Sequence, residues 1–140
     1  MRYRKIDPRI WSDERFQKLA ADAKLLAIYL LASRQTNRIG LLVFSPGLAD
    51  EEIGFERGQS DTLCDTVCAT MEWRRDKASK TVLLPKWWRY QAPDNPKALQ
   101  GYLDDLQEIP PTPLMRAFAD TVSLLPETLQ EQFRKAVARY

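Results

Sequence analysis

Histidine is absent from the 140 residues, and cysteine occurs only twice. Without histidine the chain lacks the commonest general base and the commonest metal ligand, which excludes a Ser-His-Asp triad, most zinc sites and a histidine pH switch. Cys64 and Cys68 are interleaved with Leu63, Val67 and Met71, so they read as small apolar residues on a helix rather than as a disulfide or a metal pair. Gly40, Gly47, Gly54, Gly58 and Gly101 form no phosphate-cradling loop, and no paired nucleophile and base stands out. No enzyme activity, cofactor or metal is therefore expected. Long apolar runs are missing too. The longest, Leu25 to Ala32, is far below the roughly 20 residues of a membrane span, and no signal-like apolar region follows Arg2, Arg4 and Lys5. A cytoplasmic protein without a membrane partner is the expectation.

What is present is enough apolar residue for a real core, at 44% of the chain, and an uneven charge distribution. The net charge of +2 hides this. Residues 1–20 carry six basic and three acidic side chains, and the stretch from Asp50 to Asp65 holds six carboxylates against Arg57 alone. From Glu72 to Tyr90 the balance reverses, with Arg74, Arg75, Lys77, Lys80, Lys86 and Arg89 against two carboxylates. Acidic triplets at Asp50-Glu51-Glu52 and Asp104-Asp105-Glu108 have the oxygen chemistry for a hard cation, but neighbouring carboxylates on a helix diverge, and solvated faces are the expectation.

Local signals give an element order. Ser12 precedes Asp13 and Glu14 as a helix cap, with Trp11 placed to pack on Phe16, and predicts a short helix to about Leu19. A central buried helix follows from about Asp22, apolar almost all round. Ile39 to Phe44 predicts a strand, and Ser45-Pro46 starts a helix that stops at Gly54, a residue suited to the left-handed position of a turn. The next helix begins between Glu56 and Ser60 and turns Leu63, Cys64, Val67, Cys68 and Met71 to the core. Two short runs around Lys77-Ala78-Ser79 then predict a β-hairpin with a basic tip. Beyond Pro93, Asn95-Pro96 caps a helix to about Glu108, Pro110, Pro111 and Pro113 interrupt, and two more helical stretches cover 114–124 and 126–139.

This order is that of a mainly α, winged helix-turn-helix domain over residues 1–93, with its small β-hairpin as the wing, followed by a C-terminal helical extension, 94–140, that packs on the core or on a partner. Nucleic-acid binding is the first functional expectation. Phosphate contacts fall to the hairpin cations Arg74, Arg75, Lys77 and Lys80 and to a mobile arm with Arg2, Arg4 and Lys5, while Arg57, Gln59 and Thr62 stand where base edges are read. Asp61 and Asp65 on the same helix oppose phosphate. The hairpin cations have a second reading, the protection of an exposed strand edge. Trp87, Trp88 and Tyr90 are either a stacking platform for unpaired bases or core.

Particular residues carry a resemblance. Arg4-Lys5-Ile6-Asp7-Pro8-Arg9-Ile10-Trp11, Asp13-Glu14-Arg15-Phe16 and Ala23-Lys24-Leu25-Leu26 are followed by Thr36-Asn37-Arg38-Ile39-Gly40-Leu41, Phe44-Ser45-Pro46 and Ile53-Gly54. Trp87-Trp88-Arg89-Tyr90-Gln91 and Asn95-Pro96-Lys97 continue the pattern, so that about the first hundred residues resemble the N-terminal domain of phage replisome organisers, the replication-initiation proteins of the DnaD-like winged-helix group. The resemblance implies DNA as partner in phage or prophage DNA replication, in origin recognition or helicase loading, with a helicase loader or helicase as protein partner. A homo-oligomer would suit repeated origin half-sites. The alternative is a replisome protein-protein interaction module without intrinsic DNA binding, in which the acidic strip docks a basic partner.

Overall fold

The computed structural model describes residues 3–140 and is mainly helical, with one small antiparallel sheet. A 3-10 turn over Pro8–Ser12 precedes α1 (Glu14–Gln17) and α2 (Ala21–Ala32). Then come β1 (Leu41–Val43), α3 (Pro46–Ile53), α4 (Gln59–Met71), β2 (Arg74–Asp76) and β3 (Thr81–Leu83). The chain finishes with α5 (Trp87–Gln91), α6 (Pro96–Leu103), α7 (Met115–Asp120) and α8 (Glu127–Val137), with 3-10 turns at Asp104–Glu108 and Thr121–Leu124.

The cap of α1 differs from expectation. The Asp13 carboxylate accepts from the backbone N–H groups of Arg15 at 2.9 Å and Phe16 at 3.2 Å, whereas the Ser12 hydroxyl donates back to the Arg9 carbonyl. An anion at a helix N-terminus outcompetes a neutral hydroxyl because the end of the helix carries partial positive charge. Trp11 does meet Phe16, edge-on, with ring centroids 5.4 Å apart.

The predicted strand is shorter than its apolar run but has a larger role, since β1 pairs with β3 and turns a hairpin into a three-stranded sheet of order β1-β3-β2. Gly40 makes this possible. Its φ is +75°, and a Cβ there would sit 2.5 Å from the Trp87 side chain, so only glycine lets the strand start against that ring.

The connection between α3 and α4 hangs on Asp50, which is buried although it is charged. Its backbone carbonyl accepts from the N–H groups of Gly54 and Phe55, both at 2.9 Å, and its carboxylate accepts from the N–H groups of Gly58 at 2.9 Å and Ser60 at 2.8 Å. One residue thus closes the end of α3, where Gly54 takes φ 89°, and opens α4. Glycine at 54 and 58 supplies the left-handed backbone this tight path needs.

The core is continuous across Pro93. Trp88, 1% exposed, lies edge-on against Phe133 of α8 at 6.2 Å, and its indole N–H donates to the Thr121 hydroxyl at 3.0 Å. The Arg38 guanidinium forks onto Asp105, with Nη2–Oδ1 at 2.9 Å and Nε–Oδ2 at 3.2 Å. The helices after Pro93 therefore pack on the earlier elements, with Leu99, Phe118 and Phe133 fully buried. Sequence reading had no helix at α5, which begins directly on Trp87 and has no side-chain cap.

Burial alone would raise the Asp50 carboxyl, but the hydrogen bonds from Ser60 and Gly58 outweigh it and hold the group below its ordinary 3.8. A carboxylate held down in the folded state contributes stability that is complete above its unfolded value and lost as pH falls through the folded one. Asp50→Ala should lower the unfolding free energy by about 3 kcal/mol at neutral pH, because it strands two N–H groups. Urea unfolding followed by tryptophan fluorescence checks this, and the gap to wild type should narrow once the pH drops below 3.8.

Candidate nucleic-acid interface

α4 packs on α1, α2, α3 and β2, with one face exposed. Its exposed positions include Thr62, Asp65, Thr66 and Ala69, while Cys64, Val67, Cys68 and Met71 face the core. Both cysteines are free thiols, buried with their Sγ atoms 4.0 Å apart. The hydrogen bond to Cys64 and then burial push the Cys68 thiol far up, so it is a packing group at neutral pH.

The acidic strip of α4 is met from within the molecule. Arg75 on β2 donates to Asp61 Oδ1 at 2.6 Å, to the Asp61 carbonyl at 3.0 Å and to Asp65 Oδ1 at 3.1 Å. Its guanidinium also lies 5.7 Å from the centre of the Phe44 ring, and its side chain is only 10% exposed. Lys77 adds a second cation to Asp65, with Nζ–Oδ2 at 2.8 Å. The hydrogen bond from Lys77 is the largest of the effects that hold the Asp65 carboxyl below its ordinary range. For Arg75, burial works against the charge, and the bonds to Asp61 more than compensate, so it stays a cation. Asp61 and Asp65 are one helical turn apart on α4, and the β2 strand runs beside that edge, so the spacing of acids and the strand arginine match by geometry.

The sequence-predicted residues thus divide into two groups. Arg74 on β2 and Lys80 at the hairpin turn are exposed, with no side-chain hydrogen bond or ion pair among the described residues. Arg57, in the turn before α4, is exposed in the same way. Thr62 is exposed, with its hydroxyl directed to the Gly58 carbonyl at 3.4 Å. Gln59 is committed at both ends of its amide, donating to Asp22 Oδ2 at 3.3 Å and accepting from the Glu56 N–H at 3.1 Å. Arg75 and Lys77 are spent on the α4 carboxylates. Of the N-terminal arm, Arg2 lies outside the described residues. Arg4 and Lys5 do not belong to a loose arm: the Arg4 guanidinium donates to the Thr36 carbonyl at 3.2 Å, and the Lys5 carbonyl accepts from the Gln91 side chain.

The hairpin tip is held by hydroxyl chemistry. Asp76 Oδ2 accepts from the Ser79 N–H at 2.9 Å and from the Ser79 hydroxyl at 2.6 Å, and Lys80 takes a positive φ of 59° to close the turn. This fixes the direction in which Lys80 leaves the sheet. The acidic triplets also resolve: Asp50 faces the α3–α4 turn, Glu52 accepts from the Tyr29 hydroxyl at 2.6 Å and Arg34 at 3.0 Å, and Asp105 holds Arg38. Their carboxylates point to different partners and do not converge.

Sequence reasoning missed the clamp of Arg75 on α4 and the Arg38–Asp105 fork. The first had a signal, an acidic i,i+4 pair on a helix followed by an arginine in the adjoining strand. The second joins residues 67 positions apart and had none.

No family model matches the chain, and neither a curated protein nor a solved structure is significantly similar to it. Among the described residues, no helix is long and apolar enough to cross a membrane.

Arg75→Ala should lower the unfolding free energy by about 2 kcal/mol, since it leaves two facing carboxylates without their shared cation. Lys77→Ala, removing an exposed partner, should change stability far less. Thermal unfolding of the two variants side by side measures the contrast.

Proposed function

We propose that this chain is a winged helix-turn-helix DNA-binding protein of phage or prophage replication. The observation that carries the reading is the element sequence α2-β1-α3-α4-β2-β3 with sheet order β1-β3-β2 and a glycine-closed turn between α3 and α4. In such an arrangement the second helix of the pair can approach a major groove while the hairpin touches the adjacent backbone. The charge distribution supports it in a specific way. Asp61 and Asp65 would repel phosphate if unpaired, and the hairpin cations Arg75 and Lys77 pair with them, which leaves Arg57, Arg74 and Lys80 exposed for phosphate. Contact is then dominated by phosphates rather than base edges, because Gln59 is already hydrogen-bonded within the protein and Thr62 alone remains beside Arg57. A place in origin recognition or helicase loading rests on the resemblance of the first hundred residues to phage replisome organisers.

A second reading is a replisome interaction module that binds no DNA. One observation favours it, the commitment of Arg75 and Lys77 to carboxylates of the same chain.

Binding of mixed-sequence duplex across a salt series separates the two. The double variant Arg74→Ala, Lys80→Ala should lose about tenfold or more in affinity and show a shallower salt dependence, as expected when phosphate contacts are removed. Lys77→Ala should change binding little. Absence of binding to both duplex and single-stranded DNA by the unmodified chain at low salt would leave the interaction module as the function.

A further inference from the structure

The N-terminal segment, the end of α4, the base of the hairpin and α5 enclose a cavity of about 290 Å³. Trp73, Trp87 and Tyr90 are among its lining residues, with Met71 at the end of α4. Tyr90 is 46% exposed, a large aromatic surface that the core leaves uncovered. The Trp87 indole N–H is already given to the Arg38 carbonyl at 2.9 Å and its side chain is buried, so this residue is a wall of the cavity and not a stacking face. The polar lining is also largely committed. The Gln91 amide donates to the Lys5 carbonyl and the Ser12 hydroxyl to the Arg9 carbonyl.

The charges at this cavity do not cancel. Asp7 and Asp13 are matched by Arg9 at 2.6 Å and Arg15 at 3.3 Å. That leaves Lys5 and Lys86, both exposed, which have no carboxylate partner among the described residues. An occupant that complements such a site is flat and aromatic and carries negative charge on a short tether. A nucleotide has that chemistry, with a base to stack and a phosphate for an ammonium group. A cavity of this volume is at the small end for ligand sites and suits one base with its sugar, not a folded element.

We propose that this cavity is a stacking site for one unpaired nucleotide of a single-stranded nucleic acid, with the base against Tyr90 and Trp73 and the flanking phosphates near Lys5 and Lys86. It rests on the DNA-binding reading and deepens it, because it lies at the other end of α4 from Arg57 and away from the hairpin tip. With the Gln91 amide and the Ser12 hydroxyl already bonded within the protein, the site holds its base by stacking and tolerates any base.

The test uses fluorescence anisotropy of the full chain with a labelled short oligothymidylate and, separately, a labelled duplex. Tyr90→Ala should weaken oligothymidylate binding about tenfold, the scale of one lost stacking contact, and Lys86→Glu should weaken it and flatten its salt dependence. Tyr90→Phe should bind as the unmodified chain does, and duplex affinity should be unchanged in all three variants. Oligothymidylate binding that ignores Tyr90→Ala overturns the proposal, as does duplex binding without oligothymidylate binding, which leaves the duplex reading intact. Failure of the unmodified chain to bind either ligand removes the DNA reading itself. Displacement of bound oligothymidylate by a tyrosine-bearing acidic peptide at lower concentration than by unlabelled oligothymidylate assigns the cavity to a protein partner and overturns the proposal as well.

Discussion

A carboxylate withdrawn from water has to find donors, and at Asp50 the donors are the backbone amides of the turn that aligns α3 with α4. Its carboxylate takes the N–H groups of Gly58 and Ser60, and its carbonyl takes those of Gly54 and Phe55. The amides of Gly58 and Ser60 are ones that a helix N-terminus leaves without intrahelical partners, and leaving such a group unpaired is costly. Everything that follows is positioned by this junction. The start of α4 sets where Arg57 emerges, the register of α4 sets where Asp61 and Asp65 point, and those two acids in turn hold β2 through Arg75. The free cations of the hairpin are displayed only because the strand beneath them is fixed in this way.

Charge is used here for two purposes on one surface. A cation that is 10% exposed and triply hydrogen-bonded is a structural element, and its worth lies in not leaving Asp61 and Asp65 uncompensated. A cation such as Arg74, one position earlier on the same strand, alternates to the other face and meets solvent. The hairpin's basic composition therefore overstates its capacity to hold phosphate by the two residues that serve α4. The same sorting applies to the aromatic run of α5, in which Trp87 and Trp88 are buried and Tyr90 is exposed.

The parts of the fold that were legible were those with local causes. Ser45-Pro46 and Gly54 marked the ends of α3, Asn95-Pro96 marked the start of α6, and the apolar stripe from Leu63 to Met71 marked α4. In each case the signal and the structure share one turn of chain. Asp13 in place of Ser12 as a cap turns on a competition between adjacent acceptors that composition does not rank. The short helix α5 is set by tertiary packing of Trp87 and Trp88 and has no cap of its own. For the proposed interface the sequence marks a basic region and not a set of residues, because pairing across the chain, as at Arg75 with Asp61, decides which cations stay exposed.

The open side of the α4–hairpin unit is the surface proposed to bind DNA, and amide chemical shifts read it most directly. Titrating mixed-sequence duplex into the isotopically labelled chain should shift the backbone amides around Arg57, Arg74 and Lys80, while those buried around Phe118 and Phe133 stay in place. Shifts absent throughout, or confined to α7 and α8, would contradict it.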